Sequence, residues 1–120
     1  MSKLLIVDDE IDVREFAKRF FAKRGIEVSA IGDGYEAVKV ILEESPDLVL
    51  LDIYMDGMSG IEVLQNIRES GSDVNVIMVS GVEDEEIVKK AHSFGIKGYI
   101  HKPLILEELE KIVMAELKRD

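Results

Sequence analysis

Apolar runs in this chain end in side chains that their burial does not require. Asp8 and Asp9 follow the apolar run 4–7, Asp52 follows 48–51, Ser80 follows 76–79, and Lys102 stands just past the short run 97–100. A carboxylate at the end of a buried run must lose water or gain a partner, and both cost free energy. Two carboxylates about 5 Å apart repel by about 3 kcal/mol at an effective dielectric near 20. Three of them in one place either keep protons or hold a cation. Oxygen ligands select a hard divalent ion, and a shallow, partly hydrated site with few carboxylates suits Mg²⁺ better than a caged Ca²⁺. The Cys and His clusters that zinc prefers are absent: there is no cysteine, and His92 and His101 read as exposed residues without partners at metal spacing. A divalent ion beside an ammonium and a hydroxyl is a setting for phosphoryl chemistry, in which charge on the equatorial oxygens must be matched.

Those residues work together only if the fold gathers them. Short apolar runs alternate with helical periods along the chain. Strands are expected over 3–7, 26–31, 48–51, 74–79 and 97–100. Helices are expected over 11–24, from Asp33 to before Ser45-Pro46, from Ser59 to near Gly71, over 84–94, and over 104–117. The first helix carries Val13, Phe16, Ala17, Phe20 and Phe21 at helical spacing, and the second Ala37, Val38, Ile41 and Leu42. "DGYE" at 33–36 and "SGIE" at 59–62 are capping patterns, and Asp9 has a claim as the cap of the first helix. Strands alternating with helices imply an α/β fold, a doubly wound parallel sheet covered on both faces. All strand ends then share one edge, where ligands bind in such sheets.

Composition narrows the class. At 120 residues the chain is expected to be a single domain, 1–120, with no further domain after the last helix. A formal charge of −10 argues against binding nucleic acid through a basic face. The N-terminal apolar run is too short for a signal peptide, and no run approaches the roughly 20 residues of a membrane span. A cytoplasmic protein without membrane contact is expected.

With "LLIVDDE", "LVLLDIYMDGMSG", "VIMVSG" and "GYIHKP" in this order and at these spacings, the chain resembles the receiver domain of bacterial two-component response regulators over essentially its whole length. The resemblance implies a flavodoxin-like (βα)5 sheet of order 2-1-3-4-5 in a stand-alone regulator. It implies that Asp52 accepts a phosphoryl group from a phosphohistidine on a histidine kinase or phosphotransfer protein. Asp8 and Asp9 would hold Mg²⁺ together with Asp52 and the backbone carbonyl of Tyr54. Lys102 would pair with the phosphoryl group, Ser80 would move to bond one of its oxygens, and Tyr99 would turn inward behind Ser80. The resemblance also implies a cis bond between Lys102 and Pro103. Phosphorylation would then alter the face of the fourth helix, fifth strand and fifth helix and so control binding of a downstream protein.

The chain departs from the family pattern where a proline commonly stands four residues after the acceptor. Here the position is Asp56, followed by Gly57, which suggests a freer loop and a further carboxylate near the metal. The bland reading of Asp56 is a solvated loop acid, and that of Met55 and Met58 is loop packing. Tyr54 and Val82, each two residues past a site residue, stand at positions that the resemblance places beside the path of hydrolytic water, so the two bulky groups are expected to hinder it and to prolong the phosphoryl group's life. The rival from another class is a Mg²⁺-dependent aspartyl-phosphate phosphohydrolase, but "DIYMD" lacks an acid two residues after Asp52 and no cap domain is present. A receiver-like module that only binds partners is countered by the complete set of Asp8, Asp9, Asp52, Ser80 and Lys102. A flavodoxin relative is countered by the lack of a Gly-rich or Ser/Thr-rich phosphate loop after the first strand.

Overall fold

A computed structural model describes residues 2–81 and 84–117. The elements are β1 (Lys3–Val7), α1 (Ile11–Ala22), β2 (Glu27–Ile31), α2 (Gly34–Glu44), β3 (Leu48–Asp52), α3 (Gly60–Glu69), β4 (Val76–Ser80), α4 (Glu85–Ser93), β5 (Gly98–His101) and α5 (Leu106–Leu117). The strands form one parallel sheet in the order β2-β1-β3-β4-β5, the flavodoxin-like arrangement. Every residue of β3 and β4 is buried, whereas no residue of the edge strand β2 is fully buried. That contrast follows from position, since a central strand of a doubly wound sheet is covered on both faces.

Alternation along the strands divides the core in two. Leu5, Val7, Val49 and Leu51 face α2 and α3, where Ile41, Leu64 and Ile67 meet them. Leu4, Ile6, Leu48 and Leu50 face Phe21 of α1 and Leu109 and Val113 of α5. Each layer excludes water from one side of the strands whose ends carry the polar residues.

Local chemistry sets the helix starts. Asp33 caps α2 by accepting from the amide of Tyr35, and Ser59 and Glu62 form both halves of a capping box on α3. Asp9 does not cap α1. Glu10 occupies that position without a side-chain capping bond, and Asp8 Oδ1 accepts from the amide of Glu10 at 2.9 Å. Strand β4 begins at Val76 rather than at Val74, because the Val74 amide bonds to Ser72 Oγ in a turn. Helix α5 begins two residues later than the expected 104: the carbonyl of Ile105 accepts its early bond from Leu109, and Leu104 instead packs on the core. Phe16 and Leu42 are exposed despite their helical spacing, with α1 burying Ala17 and Phe21 and α2 burying Ala37 and Ile41.

Candidate functional site

Among the described residues, the buried polar or charged side chains are Asp8, Asp52 and Ser80, at 3%, 5% and 0% exposure. All three lie where β1, β3 and β4 end. Asp52 is the last residue of β3, opposite Val79, and Ser80 is the last of β4, opposite His101 of β5. The apolar layers beneath them explain why these groups are dry. Their position at the sheet edge explains why they can still meet a ligand.

Lys102 reaches this edge from just past β5, and its peptide bond to Pro103 is cis. Its backbone amide donates to the Ser80 carbonyl at 2.7 Å. Its Nζ donates to Asp8 Oδ2 at 3.2 Å, Asp52 Oδ2 at 3.3 Å and Glu10 Oε1 at 3.4 Å. Burial pushes the Asp52 carboxyl up, Asp8 raises it further, and Lys102 only partly offsets the two, so its pKa stands at about 6. Burial disfavours charge on Lys102 as well, but Asp8 and Asp52 together outweigh it and raise the ammonium above its ordinary value. The result is a buried carboxyl that is ionised near neutrality and paired with the Lys102 ammonium.

Asp8, Asp9 and Glu10 bring carboxylate oxygens within 4.8 Å of one another, a donor set that suits a hard divalent cation. Asp52 stands outside that group and turns to Lys102. Glu10 was not singled out by sequence, although its place directly after the two aspartates was the available signal. The Tyr54 side chain lies 46% exposed at the rim. Tyr99 is half-buried and shares a hydrogen bond with Ser80; burial raises its pKa while that bond pulls it down. The ring of His101 lies 5.0 Å from that of Tyr99, and both His92 and His101 are exposed. Met55 is buried and Met58 packs on the same layer of the core. Asp56 is exposed, and Gly57 has φ +77°, a left-handed conformation that favours glycine. Val82 lies outside the described residues.

A second residue, this one with no signal in the sequence, positions Asp52. Gly60 begins α3 and donates to the Ile53 carbonyl at 2.8 Å. A Cβ at this position would come within 2.1 Å of the Asp52 carbonyl oxygen. Glycine lets the helix start press directly against the backbone of Asp52.

Residues 4–114 match the family model for the response regulator receiver domain. The chain is 40% identical over 111 residues to the probable C4-dicarboxylate response regulator DctR of Bacillus subtilis, covering 91% of this chain but only 49% of that protein. It is 30% identical to sporulation initiation phosphotransferase F of the same organism, covering 92% of this chain and 90% of that one. Among solved structures, the CheX–CheY–BeF3–Mg²⁺ complex from Borrelia burgdorferi contains a chain 33% identical to this one, with a TM-score of 0.89 and coverage of 98% of this chain and 90% of that chain.

Proposed function

The chain belongs to the response regulator receiver domain family, and from that premise we propose that it is a phosphorylation-controlled switch whose acceptor is Asp52. The observation that carries this reading is the pair of buried carboxylates, Asp8 and Asp52, sharing one ammonium at the carboxyl end of a parallel sheet. At pH 7 a carboxyl with a pKa of about 6 is roughly nine-tenths ionised, so Asp52 is available as a nucleophile. Its oxygen attacks the phosphorus of a phosphohistidine, an O–P bond forms as the N–P bond breaks, and the departing imidazole takes a proton from solvent. Lys102 turns its ammonium to the incoming phosphoryl oxygens. Ser80 then offers its hydroxyl to one of those oxygens and exchanges its bond with Tyr99, which couples the site to α4, β5 and α5.

Asp8 and Asp9, with Asp52 and the Tyr54 carbonyl, would hold Mg²⁺, and the convergence of Asp8, Asp9 and Glu10 fits such an ion. Bound there, it supplies positive charge against the carboxylates and the transferred group. The Mg²⁺ and BeF3 named with the Borrelia chain support the same reading by similarity.

The donor would be a histidine kinase or a phosphotransfer protein, and the output a protein partner bound through α4, β5 and α5. We assign the chain no nucleic-acid contact of its own, since 25 acids outnumber 15 bases. No described helix is long and apolar enough to cross a membrane, which is compatible with a cytoplasmic switch. The protein modifies itself rather than turning over a small substrate.

Incubation with acetyl phosphate and Mg²⁺, followed by intact-mass measurement, should show one added phosphoryl group, and Asp52→Ala should show none. Unchanged incorporation in that variant would refute the assignment. The exposed Tyr54 ring at the rim should also slow attack by water. Tyr54→Asn is therefore expected to shorten the phosphoryl half-life, and an equal half-life would remove Tyr54 from the account.

A further inference from the structure

We infer that Arg14 is a positioning residue that sets the divalent-cation affinity of the acidic turn by fixing its backbone, and that Gly32 is glycine to admit it. The inference rests on the Mg²⁺ site proposed above. Arg14 lies on α1, half-buried, a short way along the chain from Asp8, Asp9, Glu10 and Asp12. Among the described residues it makes no ion pair with any of those acids. Its Nη1 donates instead to the backbone carbonyl of Asp8 at 2.8 Å.

That bond completes the commitments of Asp8. Its amide donates to the Ile31 carbonyl at 3.1 Å, joining the turn to β2. One side-chain oxygen accepts from the Glu10 amide and the other from Lys102. With the carbonyl held by Arg14, the peptides on both sides of Asp8 are fixed, the one from Val7 through the Asp8 amide and the one to Asp9 through the Asp8 carbonyl. The direction in which Asp9 and Glu10 leave the sheet follows from the second of these, and so does the approach of their carboxylates to Asp8. Neutralising the acids directly would compete with a bound cation. By holding the carbonyl, Arg14 adds no further competitor for carboxylate oxygens that already meet the Glu10 amide and Lys102.

Gly32, just past β2, provides the space. A Cβ there would lie 2.5 Å from Arg14 Nη1 and 3.0 Å from Cζ. The obstruction is the far end of a flexible side chain, so an added methyl displaces the guanidinium and leaves the sheet in place. Gly32→Ala thus moves Arg14 without removing it, and Arg14→Met removes the donor while keeping an apolar stem.

Groups that orient metal ligands typically contribute roughly 10- to 100-fold to metal affinity. Titration of Mg²⁺ by calorimetry into wild type, Arg14→Met and Gly32→Ala should show each variant at least about tenfold weaker. Arg14→Lys, which retains one donor, should recover part of the loss. Unfolding midpoints in EDTA provide the second readout, since a merely structural Arg14 would lower the midpoint and leave the affinity of the folded protein untouched. Folded Arg14→Met or Gly32→Ala binding Mg²⁺ within about twofold of wild type overturns the inference alone. A wild type that binds no Mg²⁺ overturns the inference together with the metal site on which it rests. Should Arg14→Met fail to fold, Arg14→Lys and Gly32→Ala decide the matter by the same criterion.

Discussion

Asp52→Asn should stabilise the protein by about 2 to 3 kcal/mol near pH 7.5 in EDTA, and that gain should vanish near pH 4. Folding moves the Asp52 pKa from 3.8 to about 6. Below the lower value the carboxyl is neutral in the folded and unfolded chain alike, and folding incurs no penalty. As the pH rises through the interval, the unfolded chain ionises freely while the folded chain must ionise a desolvated group beside Asp8. Stability is therefore lost between about pH 4 and pH 6 and stays lost above it. A shift of about two units corresponds to about 3 kcal/mol at most. Asparagine titrates nowhere in this range and escapes the loss. Urea unfolding of both proteins at the two pH values measures the difference directly. Mg²⁺ should narrow the gap at pH 7.5, because a ligand that binds only the folded wild type stabilises it by mass action. Equal midpoints in EDTA at pH 7.5 would mean that burial does not perturb Asp52.

The second large effect is expected at the start of α3. In Gly60→Ala the new methyl meets the Asp52 carbonyl oxygen at 2.1 Å, and the Asp52 carbonyl carbon and Ile53 Cα at 2.9 Å each. All three are backbone atoms, so no rotamer change relieves the clash. Either β3 shifts or the helix retreats, and retreat withdraws Ile61, Val63, Leu64 and Ile67 from full burial. Overpacking commonly costs about 1 to 3 kcal/mol, and a clash this short with backbone belongs at or above the upper end. The same displacement moves Asp52, so on the proposed function acetyl phosphate labelling should slow in whatever fraction remains folded. Stability within about 1 kcal/mol of wild type would show that the helix start has slack which the structure does not display.

Residue pattern alone conveys the alternation of strands and helices, because β1, β3 and β4 are nearly pure apolar runs and α2 and α3 open on clear caps. Strand order came only with the resemblance, since period and propensity say nothing about which strands are neighbours. Boundaries were missed where side chains override propensity, as at Val74, whose amide is taken by Ser72, and at Leu104, which is drawn into the core before α5 begins. Phe16 illustrates another limit. Its spacing suits the buried face of α1, but Ala17 and Phe21 occupy that face, and Phe16 stacks on Phe20 at a centroid distance of 6.2 Å while remaining exposed. The titratable residues were legible one by one because each interrupts an apolar run. Glu10, Arg14, Gly32 and Gly60 were not, since each matters through a contact distant in sequence or through a missing Cβ, which no local pattern encodes.

The Lys102 ammonium touches three acids at 3.2 to 3.4 Å, and no single one of them holds it more closely than the rest. Such a cation has no exclusive bond to surrender. On the proposed phosphorylation of Asp52, the ammonium can swing toward the new negative charge while its remaining anionic neighbours keep it solvated. The rearrangement needed at the moment of transfer is accordingly small, and the barrier has little to gain from rebuilding the surroundings.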